Sequence, residues 1–168
     1  HEQQPAARDP RPAAAQSGTE APVTDARIDE AVAKACATLK KYQRPDDGSW
    51  DDYPQYPGAT TALAVQALLL AGEPPDSPVI QKAIIALTKT KIEKTYAMSC
   101  RAMAYSLLVN RYPELRPKLA ADVAWFVRNQ LGNGMWPYGS EERAKGGRGD
   151  NSLTQFAVIG LRDASLAG

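Results

Sequence analysis

The sequence predicts an all-α fold built from three helical hairpins, and three observations carry that reading. From Asp25 onward apolar residues recur at helical spacing, and no alternating run marks a strand. Amphipathic and almost wholly apolar segments then alternate three times. Finally, the apolar segments align with one another, as the amphipathic ones do, which is the mark of an internal repeat.

Residues 1–24 stand apart. They hold four prolines and six alanines, no aromatic residue, and Val23 as the only branched apolar side chain. Such a stretch buries too little apolar surface to offset its ordering entropy and is expected to form a disordered tail or linker. The repeat domain is expected over 25–168. The chain opens with His1, so a processed product or an excerpt is expected, and the Ala/Pro-rich segment suits an exported, extracytoplasmic protein.

The first amphipathic helix is read from Ile28, Val32, Ala35, Leu39 and Tyr42, with Asp25, Asp29 and Glu30 in its first turns and Lys40 and Lys41 in its last. From Ala62 to Ala71 only Gln66 is polar, so that helix must be buried on most sides; Gly72 is its C-cap. Ser77-Pro78 opens the next helix, which places Ile80, Ala83, Ile84 and Leu87 on one face. A second apolar helix covers about Tyr96 to Val109. Leu119, Val123 and Phe126 mark the third amphipathic helix, and a third apolar one runs from about Ser152 to Leu161. Cys36 and Cys100 read as core side chains.

Aligned without gaps, the apolar helices read TALAVQAL from Thr61, CRAMAYSL from Cys100 and TQFAVIGL from Thr154. Their seventh column is small (Ala67, Ser106, Gly160) and their eighth is leucine (Leu68, Leu107, Leu161), a pattern expected to let helices approach while leucine fills the gap. Leu39, Leu87 and Phe126 share a column of the amphipathic helices. The first and third hairpin turns also share a signature: Gln43 with Gly48-Ser49-Trp50, and Gln130 with Gly134-Met135-Trp136. The glutamines are expected to bond exposed helix-end carbonyls, the glycines to allow the turn, and the tryptophans to tie each hairpin shut. The second turn, Thr88 to Thr95, is lysine-rich instead.

These Q…GxW turns resemble the QW motif of squalene–hopene cyclases and of the related prenyltransferase and terpenoid-cyclase α/α toroids. The stretch NGMWPYG…GDNSLTQFAVIGL is similar to prenyltransferase/squalene-oxidase-type repeats of large bacterial proteins. The resemblance covers nearly all of residues 25–163. It implies that the three hairpins form an arc of an α/α toroid, in which the apolar helices make an inner ring with N-terminal ends facing a central cavity. The candidate site is therefore the common mouth formed by Asp51, Asp52, Tyr53, Tyr56, Tyr96, Cys100, Arg101, Tyr138, Asp150 and Asn151.

The chemistry available there is restricted. The charge balance of 20 basic against 19 acidic residues argues against a nucleic-acid binder, and no run of about 18 apolar residues spans a membrane. The cyclase DxDD acid motif is missing, as is the thioester segment of complement-like toroids, and the one histidine, His1, lies outside the repeat domain in which a zinc prenyltransferase would need it. Asp51, Asp52, Arg101 and Asp150 are the candidate catalytic groups; they would serve a cyclase-like acid on a polyprenyl chain, or a polysaccharide lyase with arginine as base. Tyr53, Tyr56, Tyr96, Tyr138 and Asn151 are the candidate binding residues. No metal and no cofactor is implied. The stretch Ser140 to Asp150 reads as a flexible solvated loop, with Asp150 and Asn151 capping the last helix. The expectation is a non-catalytic scaffold or binding module. Its partner would be a protein or glycan, and a second copy or a further domain would complete the ring, since three hairpins are roughly half of a closed toroid.

Overall fold

The structure, a computed structural model, describes residues 22–168; the tail expected over 1–24 lies outside the described residues up to position 21. The described chain is all-α. Helices α1 (Asp25–Lys41), α3 (Pro78–Lys89) and α5 (Arg116–Asn129) are the amphipathic ones; α2 (Ala59–Leu70), α4 (Thr95–Leu108) and α7 (Asn151–Ala167) are the apolar ones; α6 (Ser140–Ala144) is a single short turn. Among the described residues there is no strand, only two isolated antiparallel bridges, Lys94 with Gly139 and Trp136 with Asp150.

The helix ends follow local chemistry. Thr24 accepts from the Arg27 backbone at 3.4 Å, and Asp150 accepts from the Leu153 backbone at 2.9 Å, each satisfying one orphan donor of a first turn. At the end of α2 the chain makes a Schellman closure: Glu73 N–H donates to Leu68 C=O and Gly72 N–H to Leu69 C=O, with Gly72 at φ 92°. Ser77 holds the N-cap position of α3, but its hydroxyl makes no capping bond.

The apolar helices pack side by side in the order α2, α4, α7, and α4 against α7 is the most extensive contact. Gly160 explains that closeness, because a Cβ there would lie 3.2 Å from the Ser99 backbone. Around them α1 and α3 pack on α2, while α5 packs on α4 and α7. The core is therefore the seam between the two helix sets. Val65, Leu68, Ile80, Leu87, Tyr105, Leu108 and Phe126 are all fully buried in it.

Burial corrects the repeat alignment at one place. Leu68 is wholly buried, but Leu107 is 42% exposed, and Leu108 takes the buried position instead. The register of α4 is shifted by one, so that Ala62-Leu63-Ala64 matches Ala102-Met103-Ala104. Arg101, not Cys100, then occupies the column of Thr61 and Thr154. The other hairpins support that column, since Trp50 N–H donates to the Thr61 hydroxyl at 3.1 Å and Trp136 N–H to the Thr154 hydroxyl at 3.1 Å. A groove also recurs between the helices of the first and third hairpins: Val32, Cys36, Leu68 and Ala71 line one, and Leu119, Val123, Leu161 and Ala164 line the other.

Helix α1 is the outlier. None of its residues is fully buried; Cys36 and Leu39 are half-buried against the core, while Ile28, Val32 and the C-cap residue Tyr42 are exposed. Its periodicity reports an apolar stripe, but only part of that stripe is covered.

Candidate functional site

The two Q…GxW turns are built alike. Trp50 and Trp136 are buried, and each indole N–H donates to a carbonyl of the preceding helix, Leu39 at 2.8 Å and Phe126 at 2.9 Å. Each ring thus bridges one helix of its hairpin, while its backbone N–H holds the threonine of the other. The glutamines do not reach a carbonyl of their own helix, as the sequence suggested. They close the turn: Gln43 donates to Gly48 C=O at 2.9 Å and Gln130 to Gly134 C=O at 2.9 Å. Both glycines adopt positive φ, 75° and 84°, where a side chain is strained.

The four candidate catalytic groups divide between solvent and structure. Asp51 is almost fully exposed, with Arg44 at 3.6 Å. The Asp52 carboxylate accepts from the backbone N–H groups of Gly58 and Thr60, at 2.5 and 2.8 Å, and so caps the start of α2. Asp150 caps α7 in the same manner, and hydrogen bonds from the Ser152 hydroxyl and the Leu153 backbone hold its carboxyl below the usual range. A carboxyl so held stays ionised near neutral pH and cannot donate a proton there. Asn151 is the exposed first residue of α7.

Arg101 is fully engaged. Its guanidinium grips Asp122 with two bonds, 2.9 and 2.6 Å, donates to Thr90 C=O at 3.0 Å and lies over the Tyr105 ring. Asp122 is buried, and desolvation pushes its carboxyl upward, against the pull of Arg101. Placed in the threonine column, Arg101 does for the lysine-rich second turn what tryptophan and threonine do for the others: it ties the connecting segment to the helix pair. Sequence reasoning missed Asp122. The available signal was an acidic residue four positions before Phe126, in the column where the other hairpins place Ala35 and Ala83.

Cys100 is fully buried and burial pushes its thiol up to about 12, which removes it as a nucleophile. Of the candidate tyrosines, the structure joins two. Tyr56 meets Tyr96 edge-on with ring centroids 5.6 Å apart, and Tyr96 meets Phe156 edge-on at 4.8 Å. This ladder links the N-terminal ends of α2, α4 and α7, and Phe156 is its unforeseen member. Tyr53 and Tyr138 are exposed and make no ring contact. The stretch 140–150, expected as a loop, contains α6 and is pinned to the start of α4 by Lys94 and Glu142 at 3.2 Å.

Two concavities lie beside these elements. A cleft of about 560 Å³ between the first turn and α3 is lined by Asp47, Ser49, Asp52, Lys82 and Lys89. The second is a depression of about 310 Å³ between the C-terminal halves of α2, α4 and α7, lined by Leu70, Met103, Leu107 and Leu166 with Gln66, Ser106, Asn110 and Asp163. Leu70 and Leu166 are 70% and 72% exposed there. Among the described residues no group of acidic, histidine or cysteine side chains is arranged to hold a metal, and no helix is long and apolar enough to cross a membrane. Comparisons with family models, with curated proteins and with solved structures gave no match to this chain.

Proposed function

We propose that the chain is a non-catalytic helical-repeat module, an arc of an α/α toroid of the prenyltransferase and squalene-cyclase type, that binds a partner protein. The observation that carries this reading is where the reactive side chains are spent. Asp52 and Asp150 cap helices, Arg101 is locked to Asp122, and Asp51 lies in solvent. Catalysis needs a group free to exchange a proton in a water-excluded site, and these offer none.

The inner-face depression, in contrast, leaves three leucines in contact with water. Exposed apolar clusters rimmed by polar groups mark interaction surfaces. Leucines on three neighbouring helices, with amide and hydroxyl groups between them, suit an amphipathic polypeptide segment that supplies apolar anchors and a polar edge. A glycan would need open aromatic faces. The inner aromatic rings are instead engaged with one another, and the free Tyr53 and Tyr138 stand apart from them.

The test is a displayed library of amphipathic peptides selected on the intact chain, with polyprenyl and uronate-polymer substrates incubated in parallel. Binders lost in the Leu107→Asp/Leu166→Asp variant, with no product from either substrate, are expected. Turnover of either substrate with no selectable peptide would overturn the proposal.

A further inference from the structure

The two ends of the helix array expose positions that its middle buries. In the outer helices Val32, Ile80 and Leu119 share one column, and Ala35, Ala83 and Asp122 another. Ile80 and Ala83 are wholly buried, and Leu119 and Asp122 nearly so, whereas Val32 is 43% exposed and Ala35 is exposed. The difference tracks the neighbour. Helix α3 packs on α2 and α5 on α4, in each case the apolar helix of the preceding hairpin, and among the described residues no apolar helix covers that face of α1.

The far end mirrors this. Val65, Tyr105 and Val158 share one column of the apolar helices; the first two are wholly buried, and Val158 is 53% exposed. Ala62 and Ala102 are buried where Gln155 is exposed. In α2 and α4 the outer helix of the next hairpin covers those positions, and among the described residues no element covers them on α7. Among the described residues, one edge of the array thus presents an amphipathic helix with its apolar column exposed, and the other an apolar helix with its matching column exposed.

We infer that this chain associates head-to-tail with a second copy of itself, α1 of one protomer seating on α7 of the other. The two joints inside the chain, α3 on α2 and α5 on α4, are the template, and the new joint is their continuation. Val32 and Ala35 of one copy would meet Val158 and Leu161 of the next, with Gln155 and Arg162 as the polar rim around that apolar centre. Such an interface is heterologous, so it joins two unlike edges, and it closes or extends according to the rotation between hairpins.

The experiment is sedimentation equilibrium on the intact chain over a wide concentration range, alone and with one edge disabled. Val32→Glu and Val158→Glu both alter exposed side chains, and Ala35→Glu gives a second α1 variant should the first misfold. Wild type is expected to self-associate. Each variant should associate roughly hundredfold more weakly, as burial of one unpaired carboxylate implies. An equimolar mixture of Val32→Glu and Val158→Glu should still form a one-to-one complex, because each retains the edge the other lacks. A monomeric wild type, an unpaired mixture, or an assembly that survives Val158→Glu would overturn the inference.

Discussion

The first and last hairpin turns have the same internal bonds but different surroundings. At the first turn Gln43 donates a second bond, to Val79 C=O of α3 at 2.8 Å, and Gly48 lies so close to α3 that a Cβ would stand 2.5 Å from Lys82. At the last turn Gln130 is exposed with only its turn bond, and a Cβ on Gly134 would meet nothing within 4 Å. The comparison separates two jobs of one motif. Tryptophan and threonine close the hairpin from within, wherever it stands in the array. At the first turn glutamine and glycine also seat the next hairpin, whereas at the last turn they meet no further described element.

If closure is internal, the largest losses should be equal at the two turns. Trp50→Ala and Trp136→Ala should each cost about 3–5 kcal/mol in denaturant unfolding, as for large aromatic side chains removed from a core. A near-zero cost at either turn would break the equivalence.

The middle hairpin extends the comparison, because a charged pair stands in for the tryptophan. Asp122→Ala should cost about 3–5 kcal/mol by stranding the Arg101 guanidinium, which is only 13% exposed. The double variant Arg101→Met/Asp122→Leu should recover most of that loss, since buried ion pairs are often replaceable by well-packed apolar side chains. If the double variant is as unstable as the single one, the pair contributes geometry that packing cannot supply.

The glycines then test the difference directly. Gly134→Ala should cost about 1–2 kcal/mol, the strain of a side chain at positive φ. Gly48→Ala should cost more, about 2–4 kcal/mol, because the same strain is joined by collision with the α3 backbone. Thermal unfolding of the two variants side by side would show whether the excess exists.

Much of this architecture was legible in the sequence because it follows from periodicity and from residues with one dominant use. The alternating helices, the two turn signatures, the Gly72 C-cap and the Asp150 cap all have local causes. What was not legible depended on neighbours distant in the chain. Leu107 and Leu108 are adjacent, so either could fill the repeat's leucine column, and only the packing of α4 between α2 and α7 selects Leu108. Arg101 looked like a candidate base because its partner lies 21 residues away on another helix. The Tyr56–Tyr96–Phe156 ladder needed three helices brought together before it could be seen.

The most direct test of the central claim, that one motif closes its own hairpin and also seats its successor, is the paired unfolding free energy of Gln43→Ala and Gln130→Ala. Gln43 loses two part-buried bonds, one of them to the next hairpin, so its variant should be about 1–2 kcal/mol less stable than wild type. The Gln130 variant loses one exposed bond and should fall within about 0.5 kcal/mol of wild type. Equal losses at the two positions would contradict the account.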